Sequence, residues 1–438
     1  MYCGTMQWIG SRIVRLLVAC VMLSGCDRTF GRQACRMEHE VLLASTNGVP
    51  GEVSVVAEDP GTYLAVWSAD GETRAVRFNR KGSLIDRPRT IPRQRAVGPL
   101  RGFAARVSSE IAEGEGRKTF WPERKRASIN AADIDAVSLG GGRVAVVLVE
   151  QSKSGIAGGA YLAVLDEAGE TTHLIYLGSA GEYAERIVVA RSDGDLIVAW
   201  HDGMLGVSKI RVAAIDAETF EVKNQVALGG DGVVAAPSLA AKDGLITLAW
   251  SETASKQGRG GEGRDVVGGG LSAVNIAVLS RRLALSGKQT LATSRFVNPS
   301  PRLAVSEEGI ALVYRDDEDG DDTPEYHFIP LAPNGTKRGD RQRISTADGY
   351  KGPALVADAD GFIGATVRSF QRNLLIGLNR MDRMGHKRGG EFQVYADKTD
   401  FIRVDITENR GEVMIVYAED RQDKGRILAG AVVCAERE

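Results

Sequence analysis

The chain has 438 residues, 43% hydrophobic and 26% charged, with 55 basic and 57 acidic side chains and a formal net charge of -2. That composition is ordinary for a globular chain, and the near-balanced charge excludes a dedicated nucleic-acid binder, which carries a basic excess. Glycine at 52 residues against proline at 13 points to many turns between short strands.

In chain order, Arg12 and Arg15 precede the apolar run LLVACVML, which is too short to span a bilayer and fits the core of a secretory signal. The run ends in LSGC, residues 23–26: an aliphatic residue, two small residues, then cysteine. This resembles the lipobox of bacterial lipoproteins. The resemblance implies a signal peptide over residues 1–25, lipidation of Cys26, and a membrane-anchored lipoprotein of the bacterial cell envelope, periplasmic or surface-facing. Residues 26–37 then form a tether, and residues 38–438 the folded domain. Cys3 and Cys20 leave with the signal, so Cys35 and Cys434 remain in an oxidising compartment where disulfides persist.

One pattern recurs seven times through the folded region: a glycine, then a β-rich run often ending in an aromatic. It reads GTYLAVW (61–67), GRVAVVL (142–148), GDLIVAW (194–200), GLITLAW (244–250), GIALVY (309–314), GFIGATV (361–367) and GEVMIVY (411–417). A short apolar strand precedes each glycine across a tight turn such as SDGD (192–195) or DADG (358–361), since Asp-Gly tolerates the positive φ of a two-residue hairpin. A third strand follows each run, as in YLAVLD (161–166), and a weaker outer strand comes last, as in QVALG (225–229). Four antiparallel strands repeated about seven times predict an all-β, seven-bladed β-propeller, because only closure into a ring buries both sheet faces and removes the end edges. Trp67, Trp200, Trp250, Tyr314 and Tyr417 share one position in the unit and are expected to pack between blades.

The seventh unit ends after its third strand, RILAGAVV (426–433), while an unassigned strand, HEVLLAS (39–45), precedes the first unit. The N-terminal strand is therefore expected to complete the last blade. That pairing places Cys35 beside Cys434 and predicts a disulfide between them.

Three long connections, 95–128, 251–270 and 315–324, all fall between an outer and an inner strand or between a second and a third strand. In a propeller these two classes share one face, which becomes the expected binding face. The insertion at 95–128 carries RKTFWPERKR, so Trp121, Arg124, Lys125 and Arg126 are candidate contact residues, with His201 and Asp202 at the end of the third unit's second strand. Glu185, Arg302, Asp400 and Arg403, at the start of inner strands, are candidates for lining the central opening. In DDEDGDD (316–322), Asp317, Asp319 and Asp321 alternate around Gly320 as oxygen ligands of a calcium loop often do, without the distant glutamate of an EF-hand. A calcium site and a solvated acidic turn both fit. No nucleophile or metal motif, no catalytic residue and no other cofactor is indicated. The leading expectation is a non-catalytic lipoprotein, anchored in the membrane, that presents a propeller face to an unidentified envelope protein or glycan. The alternative is a carbohydrate-active hydrolase or lyase with carboxylates at the channel mouth.

Overall fold

The computed structural model describes residues 35–91, 131–150, 158–180, 186–204, 207–229, 232–253, 271–295, 299–317, 325–346, 353–370, 373–395, 402–421 and 424–434. These residues form seven four-stranded antiparallel sheets and no helix. Blade one holds β2 (Val53–Asp59), β3 (Thr62–Ala69), β4 (Glu72–Asn79) and β5 (Arg89–Thr90). Blade two holds β6 (Asp133–Gly140), β7 (Arg143–Glu150), β8 (Gly158–Leu165) and β9 (Thr171–Ala180). Blade three holds β10 (Ile187–Ser192), β11 (Asp195–Met204), β12 (Val207–Asp216) and β13 (Val222–Leu228). Blade four holds β14 (Val233–Lys242), β15 (Leu245–Thr253), β16 (Ser272–Ser280) and β17 (Leu285–Ser294). Blade five holds β18 (Arg302–Ser306), β19 (Gly309–Asp316), β20 (Glu325–Leu331) and β21 (Gln342–Thr346), and blade six β22 (Ala354–Asp358), β23 (Gly361–Phe370), β24 (Asn373–Asp382) and β25 (Phe392–Tyr395).

Blade seven closes the ring. Its order is β26 (Ile402–Asn409), β27 (Glu412–Arg421), β28 (Lys424–Cys434), then β1 (Cys35–Thr46) from the other end of the chain. β1 runs antiparallel to β28 with Cys35 opposite Cys434, so the clasp is longer than the seven residues its apolar pattern marks. The innermost strands touch in succession around the ring, and β26 returns to β2. The chain is a seven-bladed β-propeller.

Each blade is covered on both sides, so its second strand reads as a continuous apolar run rather than an alternating one. Val144 to Val149 in β7 are all fully buried. The apolar residues resolve into seven clusters, one per seam between adjacent blades. Trp67, Trp200, Trp250, Tyr314 and Tyr417 are buried, and each belongs to the cluster against the preceding blade. They are structural wedges, as their repeat position suggests.

The turns between first and second strands follow the Asp-Gly rule in part. Asp193 (φ 43) with Gly194 (φ 90), and Asp243 (φ 52) with Gly244 (φ 74), have both central residues at positive φ. In blade six the expected DADG turn differs: Asp358 pairs with Gly361, so the loop is Ala359–Asp360 and the glycine lies in the strand. A Cβ on Gly361 would stand 2.1 Å from the Met381 carbonyl oxygen, so this glycine serves close backbone approach instead of turning. The turns after the third strands recur as Asx-turns. Asn79 Oδ1 accepts from the Lys81 and Ser83 amides, Asp166 Oδ1 from Ala168 and Glu170, and Asp382 Oδ1 from Met384 and His386.

On the face that carries these short turns, side chains cross from blade to blade. Arg77 on blade one is paired in bidentate fashion with Glu58, and its Nη2 donates to the carbonyls of Gly142 (3.0 Å) and Asp166 (2.7 Å) on blade two. Gln289 on blade four donates to the Gly335 carbonyl of blade five, and Asn409 on blade seven to the Asp59 carbonyl of blade one.

Candidate functional site

The opposite face is where inner strands begin and second strands end. Along an inner strand, alternate side chains point to the preceding and the following blade. Ile187 belongs to the cluster against blade two and Val188 to the cluster against blade four. The positions aimed at the following blade are where charge collects. Glu52, Asp133, Arg186 and Arg403 stand at the beginning of four inner strands; Asp135, Arg302 and Asp405 lie on the same side of inner strands one pleat deeper or at an equivalent level.

The carboxylates have a repeated structural task. Asp133 Oδ2 accepts the Ile187 amide and Asp135 Oδ2 the Val189 amide (2.8 Å each), stitching blade two to blade three. Asp405 Oδ2 accepts the Val55 amide at 2.9 Å, stitching blade seven to blade one across the closure. Ser238 Oγ does the same for the Leu303 amide between blades four and five. Inner strands expose their outer backbone groups to the axis, and these side chains satisfy donors that no strand pairs. Burial pushes Asp133 and Asp135 up to about 7 from 3.8; the amide bonds and the nearby Arg302 charge oppose that shift, and Asp405 adds to it. Asp405 is raised for the same leading reason.

Three arginines share this region. Arg302 is the common counter-charge of Asp133, Asp135 and Asp405. Arg403 Nε donates to Glu52 Oε1 at 2.9 Å, bridging blades seven and one, and burial lowers its pKa to about 10. Arg186 is 6% exposed, and among the described residues neither its Nε nor its Nη2 has a hydrogen-bond partner.

Of the residues singled out from sequence, Arg302 and Arg403 do stand at the inner strands. His201 is 3% exposed, and its backbone N–H donates to the Arg186 carbonyl at 3.0 Å. Asp202 is half-buried and paired with Arg211. Asp317 is buried just after β19, its amide donating to Asp316 Oδ1. Asp319 and Asp321 lie outside the described residues, and among those described no group of three acidic, histidine or cysteine side chains is arranged to hold a metal. Cys26, Trp121, Arg124, Lys125, Arg126, Glu185 and Asp400 also lie outside them, and the side chains of Cys35 and Cys434 are not described, only their backbone pairing. Sequence reasoning missed Asp133, Asp135, Arg186 and Asp405. For the three acids the signal is charge at period two inside short apolar strands, in DIDAV (133–137) and RVDIT (403–407), where a solvent-facing alternation is the more ordinary explanation.

No protein-family model matches this chain, and no curated protein is similar to it in sequence. Solved structures share its fold. It is similar to an ulvan lyase, described as a new family of polysaccharide lyase, with a TM-score of 0.58 and 11% identity over 92% of this chain and 98% of that one. A structure of an ulvan lyase bound to -[GlcA(1-4)Rha3S]- aligns with a TM-score of 0.57 at 11% identity, over the same shares of the two chains. The β-propeller domain of the Trilobed protease from Pyrococcus furiosus aligns at 0.46 and 10% identity, covering 87% of this chain and 95% of that domain. At these identities the likeness is one of fold.

Proposed function

We propose that this chain is a lipid-anchored protein of the bacterial cell envelope whose propeller binds a glycan at the axial end where the inner strands begin. One observation carries the reading: Glu52, Asp133, Arg186 and Arg403 gather charge at the start of four inner strands, while the seams behind them are apolar. An arc of ionisable groups where sheet ends converge suits a polyhydroxylated or charged ligand better than an apolar one. The three long connections join strand ends on this same face, leaving β5, β15 and β19. The likeness to an ulvan lyase supports a glycan as the partner class, because a propeller of similar size and shape serves a polysaccharide there. The LSGC motif supports the anchor at Cys26, and the opposition of Cys35 and Cys434 in the closing strand pair supports a disulfide between them.

The hydrolase or lyase alternative has one observation in its favour. Asp133 and Asp135, raised to about 7, are in the range of a general acid or base. Both are buried and already accept backbone amides of the next blade, so the non-catalytic reading stands ahead.

The test is retention of the purified full chain on immobilised polysaccharides, neutral and acidic, with reducing ends and unsaturated products assayed in parallel. Retention on at least one polysaccharide without product release is the expected result. Product release would replace binding by catalysis, and no retention on any of them would remove the glycan reading. Radiolabelled palmitate incorporated by the parent chain and lost in Cys26→Ser checks the anchor separately.

A further inference from the structure

The seam between blades three and four breaks the stitching rule described above. Between blades two and three, Asp133 accepts the amide of Ile187, the inner-strand residue opposite Trp200. One blade further on, Arg186 holds the position of Asp133, and Pro237 holds the position of Ile187: with Ala236 it forms the bulge in β14 that faces Trp250. Proline has no amide hydrogen, so the donor that Ile187 offers Asp133 is missing at Pro237. A cation stands at position 186 instead of an acceptor.

That cation is uncompensated among the described residues. Arg403 donates to Glu52, whereas Arg186 forms no ion pair there. The blade-four strand it faces begins Val-Val-Ala-Ala-Pro (233–237) and carries no acid. A guanidinium stays protonated at any ordinary pH, so it cannot escape burial by losing its proton. Leaving one buried without an anion is costly. The same wall carries the His201 imidazole: alternation along β11 puts Ile197 and Ala199 in the cluster against blade four, hence His201 on that side as well. The ring folds back over Gly203, where a Cβ would lie 2.5 Å from Nε2, so that glycine gives the imidazole its place. Ser208, further along the seam, is spent on blade four, exchanging hydrogen bonds with the amide and carbonyl of Val234.

We propose that Arg186 is the seat of an oxyanion in the seam between blades three and four, with His201 forming its wall. This rests on the glycan reading and narrows it: the ligand is an acidic glycan whose carboxylate or sulfate group enters the seam and pairs with the guanidinium. Each presents a pair of oxygens that a guanidinium binds through two parallel N–H donors.

The experiment measures the unfolding midpoint of the purified full chain in a buffer without oxyanions, titrated with sodium glucuronate, sodium sulfate, sodium chloride at matched ionic strength, or glucose. Glucuronate, sulfate or both should raise the midpoint beyond chloride, and which of them acts identifies the group bound. Arg186→Met should abolish that response and, in anion-free buffer, unfold at the same or a higher temperature, since it removes a buried charge that lacks a counter-ion among the described residues. A purely structural arginine would give the opposite sign. Arg186→Lys, which keeps the charge but loses the paired donors, should weaken binding at least about tenfold and keeps the test open should the methionine variant not fold. An equal response in parent and Arg186→Met, or no response to either anion, overturns the proposal. Neutral polysaccharide retained equally by parent and variant would also overturn it while leaving glycan binding intact. Anion binding without retention on any polysaccharide would uphold the seat and overturn the glycan reading.

Discussion

At the scale of single residues, the fold is held by polar side chains whose work is to serve backbone. Asp133, Asp135, Asp405 and Ser238 accept amides of the next blade, and Arg77 donates to carbonyls of the next blade on the far face. For the acids this service has a pH consequence. Asp135 is raised to about 7 in the folded protein from 3.8, chiefly by burial. The folded state therefore retains a proton between these values that the unfolded chain gives up. Stability from this group is full below pH ~4, declines as pH rises toward 7, and is flat above. Asp135→Asn keeps an acceptor for the Val189 amide and removes both the buried charge and its repulsion with Asp405. The variant's unfolding midpoint is expected to gain on the parent from pH 5 to about pH 7 and then level off, a difference on the order of 1–3 kcal/mol at the upper end. A constant difference across that range would show that Asp135 does not titrate there.

At the scale of the element, the turn residues show how one letter of sequence serves two physical ends. Gly385 sits at φ +88 in the turn between β24 and β25, and a Cβ there would lie 2.4 Å from Phe328 Cδ1 on blade five. Gly411 has nearly the same backbone, φ +83, with nothing within 4 Å of its would-be Cβ. Gly411→Ala should lose only the conformational term, about 1–2 kcal/mol. Gly385→Ala adds a clash with a fully buried ring and should lose about 2–4 kcal/mol in chemical denaturation. Equal losses would mean that the seam between blades five and six yields without strain. The aromatic wedges and the apolar second strands were legible from the repeat itself, since burial on both faces writes itself as an unbroken apolar run. The blade-six hairpin was not: DADG reads as a turn glycine, and only the strand register shows the glycine pressed against Met381.

At the scale of the molecule, the ring depends on one strand pair, β1 with β28, to join its ends. Nothing covalent crosses that joint except the bond proposed between Cys35 and Cys434. Such a link closes a loop of nearly the whole propeller, and chain-entropy estimates start at about 4.7 kcal/mol for a loop of ~100 residues and grow slowly beyond it. Alkylation of the native, non-reduced protein should leave both cysteines unmodified, and reduction or Cys35→Ser should lower the unfolding midpoint. Full alkylation without reductant would rule the bond out.

The amino-acid sequence by itself determined the architecture: seven repeats of one apolar pattern, short turns on one face, long connections on the other, and a strand at each end short of a partner. Repetition made this legible, because each unit reports the same local environment again. What only the tertiary structure decided is the use made of charge near the axis. Asp133 and Arg186 occupy the same place in successive blades, and the difference between a stitch and an anion seat lies in whether the neighbouring blade offers an amide, as at Ile187, or none, as at Pro237. That neighbour is some 50 residues away along the chain, and no local pattern connects the two positions until closure of the ring sets them face to face.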